Sequence, residues 1–232
     1  NLLSFASGII TETQKFLDQA RSLRGTVAGN IILGFASTSQ LLKAQELKDK
    51  LSEEAPDLEL AMVYGDSAGL YADIIAEKID AGIVFDTPPD NENIVLLPLH
   101  QFELLVVGPK QWQQDTQDAD WQGLAQLPWI RHPAECSWHP VVERIFAQKE
   151  FRPIAVAYAP SEKDLGSLVA SGAGMGFLVK EEAQIAQEAG QVAVWPAESF
   201  SVTLSMAYST AAQSDPKIQT TLAALKELWE GK

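Results

Sequence analysis

The sequence predicts an α/β fold in two lobes that share a hinge. Three observations carry that prediction: the strand–helix rhythm occurs twice, it breaks near residues 100–108, and the pattern after about residue 200 is uneven. One continuous sheet would not break and restart in this way. In a hinged pair both crossings are strands, roughly Phe102–Val107 outward and Val202–Tyr208 back.

The elements follow in order. Over residues 1–24, Leu2, Ile9, Phe16 and Leu23 recur every seventh position with Leu3, Ile10 and Leu17 beside them. That is a helix with one apolar stripe, ended at Arg24-Gly25, and it suits packing on a second chain better than packing on its own domain. Val27, Ile31, Ile32 and Leu33 then form a β-branched run, a buried strand. Three consecutive hydroxyls, Ser37, Thr38 and Ser39, break it, and Gln40–Leu51 carries Leu41, Ala44, Leu47 and Leu51 at helical spacing. Taken alone, Thr38 or Ser39 is an ordinary helix N-cap. The same helix start, with its unpaired N–H groups and dipole, also favours an anion. Leu58–Tyr64 is a second strand, Gly65–Gly69 a turn with Ser67 as the N-cap of the next helix, and Ile83–Phe85 a third strand. This β-α-β-α-β order implies a parallel sheet.

A polar loop over Asp86–Asn93 leads to two strands, Ile94–Leu97 and Phe102–Val107, separated at His100-Gln101. The rhythm restarts with a short helix capped by Asp120, a strand at Trp129-Ile130 and an irregular loop over Arg131–His139. A helix through Val142, Ile145 and Phe146 follows, then a strand at Ile154–Tyr158 and a helix capped by Ser161. Gly172–Val179 is a glycine-spaced approach to a strand, Glu181–Ala189 a helix, and Val192–Trp195 and Val202–Tyr208 two more strands. Ser214-Asp215-Pro216 starts a last helix with Ile218, Leu222, Leu225, Leu228 and Trp229 on one face.

Charge and composition narrow the function. The chain carries 17 Lys and Arg against 31 Asp and Glu, a net −14 over 232 residues. Lys15, Arg21 and Arg24 against Glu12 and Asp18 leave residues 1–24 at +1, so the rest carries −15 and is ill suited to gripping a phosphate backbone. No apolar run approaches the ~20 residues of a membrane span. The single Cys136 excludes an internal disulfide and fits a reducing, cytoplasmic compartment.

Gly65-Asp66-Ser67-Ala68-Gly69 matches the G-x-S-x-G nucleophile elbow, and a serine hydrolase using Ser67 is an alternative. That fold needs a histidine late in the chain, and the three present, His100, His132 and His139, all lie before residue 140. The loop holding His132, Glu135, Cys136 and His139 is broken by Pro133 and Pro140 and has no paired metal-ligand spacing. The glycines at 172, 174 and 176 lack dinucleotide-site spacing. Neither a metal nor a cofactor is expected, and no catalytic residue is assigned.

Laid in order, the segments resemble the effector-binding portion of LysR-type transcriptional regulators over essentially all of residues 1–232. The likeness rests on Gly25 and Gly34 around the first strand, Ala55–Leu60 at the second, Ile79–Ile83 at the third, Leu97-Pro98-Leu99 before Glu103–Val107, and Leu168–Leu178. The resemblance implies two Rossmann-like lobes of the periplasmic-binding-protein type II, joined by crossover strands. Residues 1–24 would be a linker and dimerisation helix, 25–101 with 203–232 lobe I, and 102–202 lobe II. It implies a small-molecule effector in the cleft, a homodimer or homotetramer, and DNA contact only through a winged helix preceding residue 1. The implied effector contacts are Ser37, Thr38, Ser39, Asp66 and Ser67 from lobe I, and Arg131, His132, Trp138 and Ser161 from lobe II. An anionic effector suits the hydroxyls; Asp66 would repel one, and Arg131 and His132 would supply counter-charge. A transport solute-binding protein of the same architecture is the other alternative.

Overall fold

Alternate burial of Ile31, Leu33 and Phe35, all fully enclosed, makes β1 (Ala28–Phe35) a core strand. The chain continues through α1 (Ala44–Glu54), β2 (Asp57–Tyr64), α2 (Ser67–Ile75) and β3 (Ala81–Phe85), and β1 pairs in parallel with β2 on one side and β3 on the other. Next come β4 (Ile94–Pro109), α3 (Gln113–Gln117), α4 (Trp121–Ala125), β5 (Pro128–Arg131), α5 (Trp138–Gln148), β6 (Ile154–Tyr158), α6 (Glu162–Ala170) and β7 (Gly176–Val179). The last elements are α7 (Lys180–Glu188), β8 (Val192–Ser209) and α8 (Pro216–Glu230), the last with Pro216 at its first position as expected. This computed structural model describes residues 27–85, 91–134, 136, 138–150, 152–159 and 161–230, with positions 5, 6, 9 and 13 also described, as helix. The rest of the expected pairing helix over residues 1–24 lies outside the described residues, as does 86–90 of the polar loop.

The result is a two-lobed α/β fold joined by crossover strands. In the first lobe the order is β2-β1-β3, and β3 pairs antiparallel with the end of β8, from Ala81 opposite Tyr208 to Phe85 opposite Leu204. In the second, β5 pairs in parallel with β6, and Trp129 bridges Met175 just before β7. β7 pairs antiparallel with Leu104–Val107 of β4. The second lobe therefore repeats the first as β6-β5-β7.

β4 and β8 are each a single strand, where the sequence suggests two pairs of shorter ones. They run antiparallel from Ile94 opposite Ser209 to Pro109 opposite Val192. His100 and Gln101, polar residues that interrupt the apolar pattern, remain paired with Leu204 and Thr203. Only Leu99 is extra, as a bulge between Pro98 and His100. A second irregularity leaves residues 195–198 of β8 opposite Val106 alone. There the Trp195 indole donates to the Ala119 carbonyl at 2.8 Å, and the Trp121 indole donates to Glu198 at 2.9 Å.

One apolar core spans the sheet from Ile31 and Phe35 through Phe102 and Leu204 to Trp129 and Phe146, and a smaller one packs Ile130, Leu165 and Val169 against β4 and β7. Among the described residues no helix is long and apolar enough to cross a membrane.

The bridge between β5 and β7 depends on close backbone approach at Gly174. A Cβ there would stand 2.8 Å from the Pro128 carbonyl oxygen, a backbone atom held by the Met175 N–H. Gly174→Ala is expected to destabilise the domain by about 1–3 kcal/mol, the usual cost of overpacking. Denaturant unfolding of the variant against the parent chain measures it.

Candidate functional site

In each lobe the chain steps from its first strand to one neighbour and returns across it to the other. Such a reversal opens a crevice outside the carboxyl ends of the strands. In the first lobe the reversal lies at β1 and β3, where the Ala36 N–H donates to the Ile83 carbonyl at 3.0 Å. In the second it lies at β5, whose Arg131 carbonyl accepts from the Ala159 N–H at 2.8 Å.

Ser37, Thr38 and Ser39 leave β1 at this reversal. Thr38 Oγ1 accepts from the Leu41 N–H at 3.3 Å, and the carbonyls of Thr38 and Ser39 accept from Leu42 and Ala44 at 3.1 and 2.9 Å. These bonds close a turn over residues 39–43, and the helix begins only at Ala44. The expected hydroxyl cap on a helix from Gln40 is therefore corrected. Lys43 holds the cap position in a left-handed conformation (φ 51°, ψ 40°) with no side-chain cap bond. Leu42, fully buried, anchors the turn, so the apolar spacing that suggests an earlier helix is satisfied without one. Ser39 Oγ lies 2.7 Å from the hydroxyl of Tyr64, whose exposed ring leans on Phe35 with centroids 5.8 Å apart. Sequence reasoning misses Tyr64. Its only signal there is its place as the last residue of the second strand, before Gly65.

Asp66, not Ser67, caps α2: its carboxylate accepts from the Gly69 N–H at 2.8 Å. Ser67 is the first helical residue, buried, and its Oγ accepts from the Phe85 N–H at 3.3 Å, joining the start of α2 to the end of β3. The histidines have other partners. His100 stacks on Trp229 at 4.6 Å, His132 Nδ1 lies 3.2 Å from the Ala159 carbonyl, and His139 Nδ1 lies 2.9 Å from the His132 carbonyl.

In the second lobe the Arg131 guanidinium pairs with Glu143 of α5, and its Nε is buried without a hydrogen-bond partner among the described residues. His132 is buried, and burial holds its pKa down at about 4, with the Ala159 carbonyl opposing the shift and His139 adding to it. It is neutral near pH 7, with the thiol of Cys136 3.4 Å from its Nδ1. The counter-charge expected from this pair is thus a guanidinium already matched by a carboxylate, beside an uncharged imidazole. Ser161 caps α6 as expected, accepting from the Asp164 N–H at 3.2 Å and donating to its carboxylate at 2.7 Å. Trp138, the first residue of α5, is buried with its ring centroid 4.4 Å from that of Phe85. This contact joins the end of β3 to the start of α5. Among the described residues no cluster of His, Cys, Asp and Glu could hold a metal ion.

A family model described as the LysR substrate binding domain matches residues 24–230. Among solved structures, the effector binding domain of QuiR in complex with shikimate aligns with a TM-score of 0.71 at 21% identity, over 88% of this chain and 98% of that one. A cysteine-to-serine mutant of Corynebacterium glutamicum OxyR, H2O2-bound, aligns with a TM-score of 0.78 at 18% identity, over 99% and 74%. The Synechocystis PCC6803 CcmR regulatory domain in complex with 2-PG gives 0.74 at 14% identity, over 87% and 98%. No curated protein sequence matches the chain.

The neutral His132 gives stability a defined pH dependence. The unfolded chain protonates this side chain near pH 6.5 and the folded one only near pH 4, so unfolding takes up a proton between the two. Its contribution is complete above pH 6.5 and is lost as pH falls toward 4, by about 3 kcal/mol in all. Urea unfolding at pH 7 and pH 5 is expected to show a large part of that loss, and His132→Asn to flatten the slope.

Proposed function

Because this chain belongs to the LysR substrate-binding family, the small-molecule effector-sensing domains of LysR-type transcriptional regulators, we propose that its effector binds between the lobes, against the carboxyl ends of β1, β2 and β3 on one side and of β5 and β6 on the other. The family is regulatory, not enzymatic. The observation that supports the proposal is the repeated winding: each lobe has a chain reversal with polar side chains leaving it, and Phe85 at the end of β3 contacts Trp138 at the start of α5. The lobes are taken as 25–101 with 203–232, and 102–202.

Ser37 and Ser39 offer the first lobe's hydroxyls, and Ser161 and Arg131 the second lobe's polar groups. Thr38 and Ser67 hold the frame through their backbone partners, and His132 and Trp138 form its walls. The Asp66 carboxylate is held at the start of α2 by the Gly69 N–H and disfavours an anion beside it, so the proposed contacts to an anionic effector are the hydroxyls and Arg131. Relatives solved with shikimate and with 2-PG support a small anionic ligand here. The net charge of −14 supports DNA contact through a segment other than this acidic domain, with residues 1–24 pairing subunits. Effector binding acts by favouring one arrangement of the lobes over another, which requires a difference in affinity between them.

A thermal-shift screen of small hydroxylated and phosphorylated carboxylates identifies a ligand, and calorimetry then compares variants. Ser37→Ala combined with Ser39→Ala is expected to weaken binding about 5- to 30-fold, the loss of one or two hydrogen bonds, with Thr38 kept to preserve the turn. Unchanged affinity in that double variant would remove these hydroxyls from the site.

A further inference from the structure

We propose that Lys43 is a positioning residue that latches the hydroxyl loop to the C-terminal helix, and through Trp229 to the crossover strand. The inference rests on the assignment of residues 37–39 to the effector site and adds how that loop is held.

Lys43 is a non-glycine residue at φ 51°, a conformation an L side chain adopts only when its surroundings fix it. Its backbone N–H donates to the Gln40 carbonyl at 3.3 Å and its carbonyl accepts from the Leu47 N–H at 2.9 Å, while its side chain makes two contacts to the end of α8. Its Nζ donates to the Leu228 carbonyl at 2.6 Å, one of the carbonyls left unpaired in the last turn of a helix. The same ammonium sits 3.8 Å from the centroid of the Trp229 ring. Trp229 in turn stacks on His100 at 4.6 Å and meets Phe102 edge-on at 5.5 Å, and both lie on β4 just past the Leu99 bulge. Phe102 lies 5.9 Å from Phe85, which carries the contact to Trp138. The turn after Ser39 is therefore joined by one side chain to the strand on which the lobes change over. A shift of the loop strains the latch, and a rotation at Leu99 moves the platform on which the latch rests.

Hydrogen exchange on the ligand-free domain tests this without reference to any effector, so its failure and that of the effector site are separate results. In Lys43→Met the left-handed residue stays but the cation is gone. Exchange is expected to quicken about 30-fold over residues 39–44, the scale of one charge-assisted hydrogen bond and a cation–π contact, and to rise at 226–230 and at 100–102 as well. Lys43→Arg should restore all three segments. Lys50→Met removes a different link between the same helices, the 2.6 Å pair with Glu227, and should leave residues 39–43 and 100–102 at parent rates. Quickening confined to 39–44, no change in Lys43→Met, or the same pattern in Lys50→Met would each overturn the proposal.

Discussion

The antiparallel ladder between β4 and β8 is the constraint on which the rest of the molecule depends. β3 is attached to the sheet through β8, and β7 through β4. Each long strand thus contributes to both lobes, and the lobes cannot part without breaking the ladder. The ladder is irregular twice, between Leu105 and Val107 and, nearer the middle of the paired strands, between Pro98 and His100. Leu99 is the extra residue at that place, and a bulge adds twist without removing the pairing on either side. A two-strand connection of this kind keeps the lobes from separating.

Helix packing against the strands places the polar residues at their carboxyl ends. Gly34 lies in the middle of the first lobe's sheet, and a Cβ there would stand 2.4 Å from Leu70 Cδ2. α2 can therefore lie close on β1, with its start, Asp66 and Ser67, at the end of β2 and bonded to the end of β3. Close packing of its apolar face places the start of α2, and the Asp66 cap and the Ser67 bond then hold it at the ends of β2 and β3. In the second lobe the pairing of Arg131 with Glu143 ties the end of β5 to α5 in the same sense.

Much of this is legible in the residues. The β-branched run of β1, the doubled α/β rhythm, the caps at Asp120 and Ser161 and the proline that opens α8 are local signals, and each is found where spacing places it. The features that escape depend on partners distant in sequence. His100 and Gln101 break an apolar pattern, and only their pairing with residues 203–204 keeps β4 continuous. Asp66 and Ser67 are equally competent caps, and the choice falls to Asp66 because Ser67 is taken by Phe85 N–H, 18 positions away. Lys43 in a left-handed turn has no local signature at all; its side-chain partners lie at Leu228 and Trp229. Trp138 follows from the family resemblance, but that it meets Phe85 is a fact of packing between lobes.

That last contact is a tilted pair of rings, and separating them would cost about 0.5–1.5 kcal/mol beyond the area they bury. A full switch between two lobe arrangements needs about 5.5 kcal/mol of differential affinity. Neutral hydroxyl-to-hydroxyl bonds contribute about 1 kcal/mol each, so a neutral ligand would need roughly five or six that form in one arrangement alone. Charge-assisted bonds contribute about 1.5–3 kcal/mol, so two or three suffice. The first lobe shows three hydroxyls on consecutive residues, one already bonded to Thr38's own turn and one shared with Tyr64. An anionic effector, as proposed, therefore asks fewer new bonds of these hydroxyls than a neutral effector would.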